Sequence, residues 1–98
     1  MRKPAVHILA SHTGRAIYIG VTTNLPHRLD EHRGGEVIHT AKYRIDRLVF
    51  VEAHDTAPDA IAREEQLRGW SRAKKIALIN RSNPDRRDLS GEIHDFGS

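Results

Sequence analysis

Tyr18, Arg28, His32 and Glu64 are the side chains whose types and spacing suit chemistry in this chain. In an extended run, Tyr18 and Gly20 fall on one face and Ile17, Ile19 and Val21 on the other. A glycine on the tyrosine face leaves room for a ligand or another backbone to come close. Arg28 and His32 are four residues apart, so on a helix they share a face. A rotation of about 100° per residue puts Glu64 near the middle of the stripe made by Ala57, Ala60, Ile61 and Leu67. An acid buried there without a partner costs several kcal/mol, so Glu64 needs a cation, a metal or a hydrogen-bond donor. Arg68, at i,i+4, offers one cation. His7 lies in an apolar run, where a histidine is either packed or catalytic.

Strands and helices must hold these groups. Ala5 to Ala10 and Ala16 to Val21 are short β-rich runs joined by a polar, glycine-containing hairpin loop, Ser11 to Arg15. Asn24 caps a helix whose Leu25, Arg28, Leu29 and His32 recur at helical spacing until Gly34-Gly35. Residues 36 to 46 read as a loop, and Arg47 to Glu52 as a third strand. Thr56-Ala57-Pro58-Asp59 starts a second helix that runs to about Arg68 or Trp70. Ser71 to Asn80 is a further helix rich in Lys and Arg, ended by Asn83-Pro84. This order, ββαβα with an extra C-terminal helix, predicts an α+β domain in which helices cover a small, mostly antiparallel sheet. Trp70 reads as core in preference to a stacking platform for bases.

The chain has 98 residues, enough for one domain over residues 1–90, with a frayed tail expected over 91–98. It contains no cysteine, which removes disulfides, thiolate metal sites and cysteine nucleophiles, so chemistry falls to His, carboxylate, hydroxyl or basic groups. No apolar run spans a bilayer and no signal-peptide stretch follows Met1-Arg2-Lys3-Pro4, so the expectation is a cytoplasmic chain with no membrane partner. The net charge is +3, but Arg63 to Arg87 alone carries +5, from eight basic and three acidic residues. Arg72, Lys74 and Lys75 in that segment are either a solvated face or contacts for phosphates. His12, His27, His39, His54 and His94 show no ligand spacing.

Taken in order, these stretches resemble the GIY-YIG nuclease superfamily, in particular its small single-domain endonucleases. The likeness rests on Val6-His7-Ile8 with Tyr18-Ile19-Gly20-Val21-Thr22, on Arg28-Leu29-Asp30-Glu31-His32, and on Ala60 to Leu67 running into Trp70 to Lys75. Asn83-Pro84 and Asp88-Leu89 add a weaker match. The resemblance implies a three-stranded antiparallel sheet with flanking helices and a metal-dependent cut of DNA. It makes Glu64 the metal carboxylate, Arg28 the phosphate-stabilising arginine, Tyr18 the second-motif tyrosine, and His32 the helix position filled by Tyr or His. Gly20 and Asn83 are carried as motif positions. A single carboxylate, completed by waters and substrate oxygens, suits Mg²⁺, with Mn²⁺ able to replace it.

The sequence departs from the family pattern in three places. His7 stands where the first motif supplies a tyrosine, Val21 where some members carry a lysine, and Arg86 where an aromatic is expected. Histidine begins with a pKa of about 6.5 against about 10 for tyrosine, which makes His7 the candidate base. The function implied is a structure- or repair-directed DNA endonuclease of low sequence specificity. The alternatives are a non-catalytic nucleic-acid-binding module of the same fold, or a nuclease subunit whose protein partner supplies targeting.

Overall fold

The computed structural model describes residues 3–34 and 44–92. Its elements are β1 (Ala5–Ala10), β2 (Ile17–Thr22), α1 (Leu25–Arg33), β3 (Arg47–Ala53), α2 (Ala57–Arg68) and α3 (Arg72–Ser82), followed by a 3₁₀ turn at Leu89–Glu92. The three strands form one antiparallel sheet in the order β2-β1-β3. The architecture is therefore the expected α+β fold.

The central strand explains the run AVHILA: all six residues of β1 are buried, because helices cover both faces of the sheet. Val6, Ile8 and Ala10 pack with Ile19, Val49 and Phe50 beneath Ala60 and Leu67 of α2 and Ile79 of α3. On the opposite face, Leu9 and Leu48 meet Leu25 and Leu29 of α1, with Ile45 beside them. A register shift opposite Ile8 and Leu9 accommodates Val49 as an extra residue of β3, which lets Val49 and Phe50 both enter the first core. Each large aliphatic side chain buried here contributes about 1.5–3 kcal/mol.

Each helix starts where its cap residue dictates. The Asn24 side chain accepts from the His27 amide at 3.4 Å, Thr56 from the Asp59 amide at 3.2 Å, and Ser71 from the Lys74 amide at 3.2 Å. Pro26 and Pro58 occupy the first turns of α1 and α2, where a missing amide hydrogen costs nothing. Boundaries differ slightly from the sequence reading. β3 continues to Ala53, and α3 runs to Ser82 instead of Asn80 before Asn83 caps it. Of the loop read over 36–46, residues 36–43 lie outside the described residues; Arg44 to Asp46 carry neither helix nor strand. The 3₁₀ turn extends two residues into the segment read as a frayed tail, and 93–98 lie outside the described residues.

Asp88 fastens that turn to the domain. Its carboxylate accepts from the Ser90 hydroxyl at 2.7 Å, the Ser90 amide at 3.0 Å, the Leu48 amide at 3.3 Å and Arg33 at 3.0 Å. Burial raises its pKa, but these donors outweigh burial and leave it below the ordinary value. Among the described residues, no helix is long and apolar enough to cross a membrane.

Candidate active site

His7 and Gly20 are direct cross-strand partners in the β1–β2 ladder, and Tyr18 lies two residues along β2 on the same face. The opposing glycine is a packing requirement: a Cβ there would lie 2.9 Å from His7 Cε1, 3.0 Å from His7 Nε2 and 3.1 Å from Tyr18 Cε1. Gly20 thus makes room for two rings. A third arrives from α1, where Leu25 and Leu29 dock the helix on this face and carry His32 with them. The ring centroids of Tyr18 and His32 are 4.9 Å apart at 60°, and His7 is 6.3 Å from each, tilted 40° to Tyr18 and 74° to His32. These are edge and tilted contacts, the geometry that aromatic quadrupoles favour.

The surroundings favour the neutral form of both imidazoles. His7 is 0% exposed, and among the described residues neither of its ring nitrogens has a hydrogen-bond partner. Burial, followed by the charges of His32 and Arg28, lowers its pKa to about 4. Burial and then Arg28 also lower the pKa of His32, with Glu31 opposing. Arg28 therefore lies close enough to act on both imidazoles, while its own Nη1 sits 3.9 Å from Glu31 Oε1. Glu31 also lies 3.5 Å from His27 Nε2. Sequence reasoning did not single out Glu31, although its i,i+3 spacing from Arg28 carried the signal.

Glu64 is buried with Ala60 and Leu67 at 8% exposure, whereas Ala57 and Ile61, read as part of the same apolar stripe, face solvent. Its partner is the Arg68 guanidinium, one turn later on α2. That helix packs over β2 and β1 on the face opposite α1. The fold thus gathers His7, Tyr18, Gly20, Arg28 and His32 on the α1 side, and sets Glu64 on the α2 side of the sheet. Among the described residues, no group of three or more His, Asp or Glu side chains could hold a metal ion. A cation at Glu64 would take one protein carboxylate and otherwise water or substrate oxygens, which is the donor set Mg²⁺ tolerates.

The remaining sequence-derived positions have structural partners. Asn83, 2% exposed, donates to Val49 O at 3.2 Å and Arg87 O at 2.9 Å, and its Oδ1 accepts from the Arg87 amide at 3.0 Å. It pins the turn after α3 onto β3. Arg86, in the place where an aromatic was expected, adopts a left-handed φ of 51°. A Cβ on Gly14, itself at φ 74°, would approach Arg86 Nη1 to 2.7 Å. Arg72 donates to Gly14 O at 2.8 Å and ties α3 to the hairpin loop. Lys74 points over Trp70, and Lys75 is half-buried.

Comparison with known proteins adds to this geometry. Residues 3–77 match the family described as the GIY-YIG catalytic domain. A UPF0213 protein of Syntrophus aciditrophicus is 38% identical over 90 residues, covering 88% of this chain and 99% of that protein. Another from Natronomonas pharaonis is 40% identical over 67 residues, or 64% of this chain and 75% of that one. The solution NMR structure of a UPF0213 protein from Bacillus halodurans superposes with a TM-score of 0.55 at 27% identity, covering 90% of this chain and 94% of the other.

Proposed function

Because the chain belongs to the GIY-YIG catalytic-domain family, we propose that it is a metal-dependent endonuclease that hydrolyses DNA phosphodiester bonds, with low sequence specificity and a structure- or repair-related role. It acts in the cytoplasm. The observation that carries this reading is the convergence of His7, Tyr18 and His32 around Gly20, with Arg28 acting electrostatically on both imidazoles.

Water attacks phosphorus as its proton passes to a neutral imidazole, the bond from phosphorus to the 3′ oxygen breaks, and the leaving oxygen takes a proton from solvent, to which the imidazolium then returns its own. The products are a 5′ phosphate and a 3′ hydroxyl. The Arg28 guanidinium stabilises the charge gathering on the phosphoryl oxygens. Tyr18 orients the attacking water through its hydroxyl, and His32 holds the tyrosine ring in place. His7 is neutral at physiological pH, but at a pKa of about 4 it is a weak base. An anion that neutralises Arg28 removes the smallest of the three influences on His7, burial being the largest, and so raises its basicity only in part. Glu64 would hold Mg²⁺ or Mn²⁺ once released from Arg68, and such an ion supplies charge neutralisation at the phosphate and the leaving oxygen. Of the basic residues of α3, Lys74 and Lys75 contribute phosphate contacts, while Arg72 is held by the Gly14 carbonyl.

Purified protein should nick branched or supercoiled DNA with Mg²⁺ or Mn²⁺ and not with EDTA, and Glu64→Ala should abolish the product. Equal cleavage by the Glu64→Ala protein sinks the assignment. A second reading, a DNA-binding module without turnover, is favoured by the Glu64 to Arg68 ion pair. It requires binding whose log K falls with log salt, with no product under any metal. Targeting by a protein partner would show as cleavage only when that partner is added.

A further inference from the structure

Between α2 and α3 lies a groove of about 320 Å³, lined by Arg63, Trp70, Lys74, Ala77, Leu78 and Arg81. Its lining carries three cations and no acid. Trp70 is rigidly presented: Gly69 caps α2, Ser71 caps α3, and the Trp70 amide donates to Leu67 O at 3.1 Å. Part of the indole packs on the aliphatic core and the rest faces the groove. Arg63 lies 5.3 Å from the ring centroid and is committed to the protein, donating to Glu52 at 3.0 Å and Gln66 at 2.7 Å. Lys74 Nζ lies 5.2 Å from the same centroid. Neither Lys74 nor Arg81 makes a side-chain hydrogen bond or ion pair among the described residues. Lys74, Ala77, Leu78 and Arg81 fall on one face of α3, and the two cations are separated along the helix by about 10 Å at 1.5 Å per residue.

We propose that this groove binds an unpaired nucleobase of a DNA strand against Trp70 and Leu78, with Lys74 and Arg81 holding the phosphates on either side. This deepens the nuclease reading, on which the choice of nucleic acid rests, by naming single-stranded or flapped DNA as the substrate class. An aromatic face with flanking cations and no carboxylate matches a base and its phosphodiesters, since stacking is indifferent to sequence and the phosphates supply the charge. Lys74 exchanges a weak contact with the indole for a phosphate, leaving the ring open to the base. The assignment also explains why the cations remain unpaired while Arg63 and Arg72 are bound within the protein.

Trp70 is the one tryptophan in the chain, so its fluorescence reports on the groove directly. The test titrates the protein in EDTA with an oligothymidylate of about ten nucleotides, within the span of single-strand sites. An abasic oligomer of equal length and a blunt duplex serve as comparisons, and binding is followed in parallel by anisotropy. Oligothymidylate should quench Trp70 saturably and the two comparisons should not. Each phosphate neutralised on a single strand contributes a salt slope of about 0.7, so Lys74→Gln/Arg81→Gln should lower that slope by about 1.4 and affinity by about 25-fold at 0.1 M salt. Unchanged affinity in the double variant overturns the proposal. So does binding without quenching, or a duplex that quenches as strongly as the single strand. Glu64-dependent cleavage without quenching removes this groove and leaves the nuclease; quenching without cleavage under any metal does the reverse. Loss of all binding removes both.

Discussion

Replacing His7 with phenylalanine should flatten the acid side of the stability profile. The imidazole titrates at 6.5 in the unfolded chain and at about 4 in the folded one. Above pH 6.5 it is neutral in both states and its contribution is complete. As pH falls from 6.5 to 4, the unfolded chain takes up a proton that the buried ring refuses, so stability is lost across that window. Below about pH 4 both states are protonated and the loss stops. The difference in pKa corresponds to about 3 kcal/mol in total, of which about 2 kcal/mol is gone by pH 5. For a domain of this size that is a fall of roughly 8–16 °C in Tm. His32 adds in the same direction, because its pKa is also lowered. Asp88, held below its ordinary pKa, loses its own contribution only from the bottom of this window downward, and equally in both proteins.

Urea melts at several values between pH 7.5 and 4.5 read the effect. The parent should lose stability with a limiting slope of about 1.4 kcal/mol per pH unit from His7. His7→Phe fills the same space with a ring that cannot ionise, so its slope should be shallower by that amount, whatever its absolute stability. Equal slopes for the two proteins, or an NMR titration of His7 near 6.5, would refute the reasoning.

Other consequences are accessible to the same instruments. Gly20→Ala should cost about 1–3 kcal/mol, since its Cβ meets two rings near 3 Å; combined with His7→Ala, it should cost less than the sum in a double-mutant cycle. Arg28→Gln should move the NMR titrations of His7 and His32 upward, because Arg28 holds both down, while cleavage is lost. Glu64→Ala should abolish metal-dependent cleavage yet change stability by less than about 1 kcal/mol, since the Arg68 side chain it releases is 62% exposed and remains hydrated. Asn83→Ala should lower stability by about 2–3 kcal/mol, measured by thermal melting, because it strands the buried Val49 carbonyl and frees the turn at Arg87.

How much of this was legible depended on the range of the interaction. Local signals were read correctly because they act within a few residues: the Asn24 and Thr56 caps, the alternation in β2 and the i,i+4 pair of Arg28 and His32 all survive folding. Asn83 was flagged by its motif, but its role was hidden, since its partner Val49 lies 34 residues away. Likewise, Arg72 looked like a free cation until folding brought Gly14 beside it, across 58 residues. The β3 irregularity that buries both Val49 and Phe50 has no marker in the residues themselves.

Glu64 shows the boundary most clearly. Periodicity identified it as an acid on an apolar stripe, and the same periodicity offered Arg68 as its partner; both are found. What one helix cannot reveal is the face of the sheet on which it lands. That face is opposite the ring cluster, across the sheet at its β2 and β1 strands. In the nuclease reading, a phosphate reached by both Arg28 and Glu64 would have to sit at an edge of the sheet, and β2 is the edge strand that α2 packs against. The small residue at Gly20 then has two duties in one place: it admits the His7 and Tyr18 rings on the α1 face and keeps that stretch of β2 narrow enough for both sides to act on one phosphate. An alanine at position 20 should consequently weaken cleavage more than its stability cost explains, and a Gly20→Ala protein that is fully folded and fully active would separate the two faces for good.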